Sequence, residues 1–216
     1  MKKAQIKVLF CILLCTLAVL SCSCAKKPTD DELISEAKEL LEESFSVNEI
    51  FYGAGLDCEA QSSHEAAKKY LKVSPDALAE LGASSIEELR ALVKKVYSEE
   101  LCELIFSTKL SSVSDGSTIA GYAEYIEVEG VVFVHAERKD YINAESEADP
   151  DSLRVLEKSA DNCRLEFDLT LTQRDRHGKD VPTQKRTKQF NMKKDSEGNW
   201  KLDSLTFVAW DDEILE

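Results

Sequence analysis

The period of the hydrophobic pattern changes once along this chain, and that change limits the fold more than any single motif does. Up to about residue 118, apolar residues recur at three- and four-residue steps, the spacing of a helix face. Beyond it they alternate with polar residues, the spacing of a strand with one buried and one wet face. Helices followed by strands predict an α+β domain, with N-terminal helices packed on one face of a curved antiparallel sheet.

In the helical half, Thr29 and Glu32 have capping-box spacing ahead of Leu33, Ile34, Ala37, Leu40, Leu41 and Phe45, which predicts a helix from about Asp30 to Phe45. Ser46 and Glu49 repeat that spacing before VNEIFY, a short helix ended by Gly53 and Gly55. Leu56 to Ser63 reads as a loop and His64 to Leu71 as a helical turn. Ser74-Pro75 opens DALAEL, Ser85 and Glu88 cap IEELRALVKKVY, and Ser98 begins EELCELIFS.

The strand half starts with Tyr122 to Glu127 and Val131 to Glu137 around a turn at Glu129-Gly130. Arg164 to Thr172 shows the strictest alternation, with Leu165, Phe167, Leu169 and Leu171 on one face. Leu153 to Lys158 reads as the preceding strand, with a short helix as the competing assignment. Thr183 to Met192 is a polar, basic strand. Trp200 to Trp210 is the last, with its alternation slipping near Asp203-Ser204 as at a bulge.

The N-terminus carries a different signal. Lys2, Lys3 and Lys7 precede an uncharged apolar run from Val8 to Leu20, the layout of a secretion signal too short to span a bilayer. Val19-Leu20-Ser21-Cys22 resembles the bacterial lipobox, departing from it in the bulk of Leu20. The resemblance implies a signal peptide over 1–21, a lipid on Cys22, a tether over 22–29 and one domain over 30–216. The protein is then expected at the extracellular face of the cell membrane, with the membrane itself as a partner through the lipid. Ordinary signal cleavage near Cys24, without lipid, is the competing reading.

Hydrophobic residues make up 43% and charged residues 31%, which excludes both a disordered chain and a polytopic membrane protein. Loss of residues 1–21 removes three Lys and no acid from a net charge of −14, leaving −17. That charge argues against nucleic acid as a partner and favours a basic protein; a cell-wall component is the other candidate partner, through the basic run that holds Arg186 and Lys188. Beyond the tether lie Cys58, Cys102 and Cys163, an odd number. A bridge between Cys58 and Cys102 and three free thiols both remain open. No CxxC occurs among them, and no cofactor or metal site is expected.

The helix order, the long-stranded meander and its closing DSEGNWKLDSL are similar to the nuclear-transport-factor-like, or cystatin-like, α+β superfamily. The segments VNEIFYGAGL, YLKV, SIEEL and KKVYSEELCELIF resemble uncharacterised lipoproteins of anaerobic Gram-positive bacteria. A looser likeness is to secreted inhibitors of peptidoglycan DL-endopeptidases. The superfamily resemblance implies a cone-shaped sheet, and its isomerases and dehydratases keep an acid/base pair in the mouth of the cone. His135, with Glu137 two residues on and on the same strand face, is the tentative pocket pair. A satisfied strand histidine is the plainer reading of His135.

The remaining candidates are weaker. A Cys–His pair can be drawn between Cys58 and His64, without a supporting motif. His177 sits in a turn. Asn143 to Asp151 is acidic but lacks the EF-hand pattern, and reads as a solvated loop. Arg186 and Lys188 share a strand face, as a tentative interaction patch or as cross-strand partners of Glu166 and Asp168. Aromatic side chains line either a groove or the core. GxGxxG, GxxxxGK[ST], GxSxG and HExxH are all missing. The expectation is a membrane-anchored, non-catalytic binding domain acting on envelope proteins such as wall hydrolases. The alternative is a small-molecule binder or cone-cavity enzyme of the isomerase or dehydratase type.

Overall fold

A computed structural model describes residues 27–61, 69–113, 123–137, 144–173 and 184–207. Helix α1 (Asp30–Phe51) starts at the predicted capping box: the Thr29 hydroxyl accepts the Glu32 N–H at 3.2 Å, and the Glu32 carboxylate accepts the Thr29 N–H at 2.7 Å. Asp30, Asp31 and Glu32 add negative charge at the positive end of the helix dipole. The helix continues without a break through Ser46, so the two predicted helices are one. Glu49, read as an N-terminal capping residue, instead serves the C-terminal end, where its side chain accepts the Ala54 N–H at 2.7 Å.

Strands β1 (Cys58–Gln61) and β2 (Tyr70–Val73) follow, where a loop and a helical turn were expected. Helices α2 (Pro75–Glu80), α3 (Ile86–Val96) and α4 (Glu99–Lys109) come next. The caps expected at Ser85 and Ser98 are both made, to the N–H groups of Glu88 and Leu101. The chain then forms β3 (Leu110–Val113), β4 (Tyr125–Val128), β5 (Val131–His135), β6 (Ala144–Lys158), β7 (Asn162–Gln173), β8 (Gln184–Lys194) and β9 (Trp200–Leu202).

The strands make two sheets, where one was expected. The first has the order β1-β2-β5-β4-β3, antiparallel except for the parallel pair β3–β4. The second is the meander β6-β7-β8-β9, antiparallel throughout. The predicted strands belong to both sheets, and β1, β2 and β3, four residues each, are strands that were not expected.

The acidic stretch read as a loop enters β6 at Ala144. The β6–β7 register shifts between Asp149 and Arg154, and Pro150 lies inside that interruption, where a missing N–H breaks no ladder bond. One core joins α1, α3 and α4 to both sheets, through residues such as Leu33, Leu89, Val134, Leu165 and Phe190. The Phe167 and Phe190 rings meet edge to face at 5.6 Å. No helix among the described residues is long and apolar enough to cross a membrane.

Candidate functional site

The turn between β6 and β7 forms one wall of a cleft of about 380 Å³. Asn162 donates its N–H to Ser159 Oγ at 3.0 Å, and Ser159 donates its own N–H to the Asn162 carbonyl at 2.7 Å, closing the hairpin. Glu157, Lys158, Asn162 and Arg164 line the cleft from this hairpin, Asn191 and Met192 from β8, and Asp203 from the chain after β9. Cys163 and Met192 face each other across the ladder, and both are buried.

The charged groups here already have partners. Arg164 pairs with Glu157, Lys158 holds Asp30 at 2.6 Å and the Pro28 carbonyl at 2.9 Å, and Asp203 accepts the Ser98 hydroxyl and Lys193. Burial pushes the Cys163 thiol up to about 11, so it stays a thiol at neutral pH and is no nucleophile. The cleft therefore offers amide and matched-charge hydrogen bonding.

Neither tentative pocket residue reaches this cleft. His135 ends β5 opposite Tyr70, with the two rings edge to face at 5.0 Å. Its Nδ1 accepts the backbone N–H of Glu137 at 3.1 Å. Glu137 is exposed in the turn after β5, so the shared strand face expected for the two is not formed.

Arg186 and Lys188 share a face as expected, but the register contradicts their pairing with Glu166 and Asp168. Arg186 stands opposite Leu169 and Lys188 opposite Phe167, on the face that carries Leu165 and Phe190. Glu166 and Asp168 point to the solvent side, where Arg154 binds them at 2.8 and 3.4 Å. Hydrogen bonds from Arg154 and Gln189 hold the Glu166 carboxyl below its usual range. Thr187 and then Arg154 do the same for Asp168.

Cys58 is exposed and Cys102 and Cys163 are buried, and no disulfide joins any two of the three. Cys58 contacts the Leu56 carbonyl at 3.1 Å and Cys102 the Tyr97 carbonyl at 3.4 Å. Cys22, the signal and most of the tether lie outside the described residues, as do His64 and His177. Among the described residues no three His, Cys, Asp or Glu side chains are grouped to hold a metal.

Sequence reasoning missed the polar groups of the interior. Lys109 and Glu124 pair while almost fully buried, and the Lys109 ammonium lies 4.8 Å from the centre of the Tyr52 ring. Nearby, the Tyr97 hydroxyl donates to Asn48 Oδ1 at 2.5 Å, and Asn48 Nδ2 donates to Thr206 Oγ1 at 3.1 Å. A signal for Lys109 did exist, since Cys102, Ile105 and Lys109 are the three buried positions of α4 and sit at helical spacing.

The chain matches no protein-family model, no curated protein and no solved structure. The reading of its function therefore rests on the residues themselves.

Proposed function

We propose that this protein is an extracytoplasmic lipoprotein, anchored through Cys22, whose domain is a non-catalytic binding module for a cell-envelope protein. The observation that carries the reading is the place where the tether meets the fold. Lys158, at the edge of the cleft, grips Pro28 and Asp30 at the start of α1. Cys22 lies five residues before Lys27, the first described residue, at most ~18 Å of extended chain. A lipid on Cys22 would hold the cleft end of the domain close to the membrane surface, and the cleft's matched charges suit hydrogen-bonded contact with a polar chain better than acid/base chemistry.

The finer fold reading, a nuclear-transport-factor-like cone, is part of the same proposal. It is supported by the sequential meander β6-β7-β8-β9 and by α1 packing on β6 and β9.

Labelling of cells with an alkyne analogue of palmitate tests the anchor. Wild-type protein should take up label and stay with membranes, while Cys22→Ser should be unlabelled and released. Label on Cys22→Ser, or release of the wild type, would sink the anchored reading. In cells that keep the anchor, crosslinking from a photoreactive residue at Asn191 should trap an envelope protein; no Asn191-dependent adduct would remove the cleft from the proposal.

A further inference from the structure

Strand β8 (QKRTKQFNMKK) carries Lys185, Arg186, Lys188, Lys193 and Lys194 and no acid, within a chain of net charge −14. Among the described residues, its edge on the β9 side has no strand beside it over part of its length. β9 pairs only with Met192, Lys193 and Lys194. Asn191 completes that side: its carbonyl accepts the Asp203 N–H at 2.8 Å, and its own N–H donates to Ser204 Oγ at 2.7 Å. Lys194 points the other way, donating to the Asp161 carbonyl at 2.9 Å.

Backbone groups of alternate residues in a strand point to the same side. Because Asn191 faces away from β7, so do Gln189, Thr187 and Lys185. Among the described residues no strand lies along this stretch, since β8 has only β7 and β9 as neighbours. Three residues thus present N–H and C=O groups in a row ~13 Å long, measured at ~3.3 Å per residue.

We propose that the Lys185–Gln189 edge of β8 takes up an extended acidic segment of a partner protein as an added strand. The backbone groups at Lys185, Thr187 and Gln189 supply the ladder bonds. Lys185 on one face and Lys188 on the other place positive charge beside carboxylates on either side of the incoming strand. The same charges select against a second copy, because two such edges would set lysines and arginines against each other. The inference goes beyond the anchored-module reading and depends on neither Cys22 nor the cleft, which begins at the other end of β8.

The test uses the full chain and a fluorescent nine-residue peptide alternating glutamate with valine. A second peptide with lysine in place of glutamate is the control. The acidic peptide should bind saturably, and at least tenfold more tightly than the lysine peptide. Lys185→Glu/Lys188→Glu should weaken it at least tenfold. Thr187→Pro, which deletes an outward N–H, should do the same. Should Thr187→Pro fail to fold, amide NMR shifts decide: bound peptide must move the amides of Lys185, Thr187 and Gln189 in the wild type. The proposal is overturned by absent acidic-peptide binding, by binding that the charge variant leaves unchanged, or by amide shifts confined to other strands. It is equally overturned by self-association through this edge, or by peptide binding that appears only after residues 208–216 are deleted, which would make the chain's own acidic end the occupant.

Discussion

Lys109 Nζ lies 2.5 Å from Glu124 Oε2, with 9% and 1% of the two side chains exposed. Lys109 ends α4 and Glu124 directly precedes β4, so the pair ties the last helix to the first sheet. Taking both charges out of water is costly, and their pairing offsets part of that cost.

Removing one partner should therefore cost more than removing both. Glu124→Leu alone is expected to destabilise the fold by about 3–5 kcal/mol, and Lys109→Met/Glu124→Leu by less than that single change. Urea unfolding of the two single variants and the double closes the cycle. Additive losses would show that the pair is not coupled.

The three cysteines of the described residues should differ in reactivity. Burial raises the thiols of Cys102 and Cys163 from 9.0 to about 11, while Cys58 is exposed. Iodoacetamide at pH 8, followed by peptide mapping, should modify Cys58 in the native protein and the other two only after unfolding. Because folding raises these two values, their stabilisation is full below about pH 9 and is lost as pH rises towards 11. Denaturation curves should show that alkaline loss. Rapid native labelling of Cys163 would contradict the burial argument.

On the solvent face of the second sheet, Arg154→Ala should change stability little, because ion pairs on an exposed sheet face add little net stability. The carboxyl titrations should respond more clearly. Glu166 and Asp168 sit below 4.5 and 3.8 in the folded protein, and the variant should raise both. Depressed carboxyl values stabilise the fold above the unfolded values and lose that effect as pH falls through the folded ones. The gap between wild type and variant should thus be widest near neutrality and close in acid. Carbon-detected NMR titration checks the shifts, and unchanged values in Arg154→Ala would refute the assignment.

Tyr97→Phe removes the donor to Asn48 Oδ1 in a site where Tyr97 and Asn48 are each 2% exposed. A buried acceptor left without its partner should cost about 1–3 kcal/mol. Asn48→Leu/Tyr97→Phe should differ from the sum of its single changes, since both remove the same bond. Thermal unfolding at neutral pH measures all three.

Sequence alone went far with the helices and with β7. Capping residues act locally, so Thr29, Ser85 and Ser98 could be read as helix starts without knowing what the helices touch. The alternation in β7 likewise separates Leu165, Phe167 and Leu169 from Glu166 and Asp168, because a strand's two faces are fixed by its own geometry.

The tertiary structure decided which faces meet. A strand's pattern gives its faces but not its register, so nothing local placed Arg186 opposite Leu169 in place of Glu166 or Asp168. The separation into two sheets and the parallel β3–β4 pair depend on contacts between residues far apart in the chain. Lys109 and Glu124 follow the same rule. Helical spacing hints at Lys109 alone, and only packing that closes around both at once makes a buried pair tolerable.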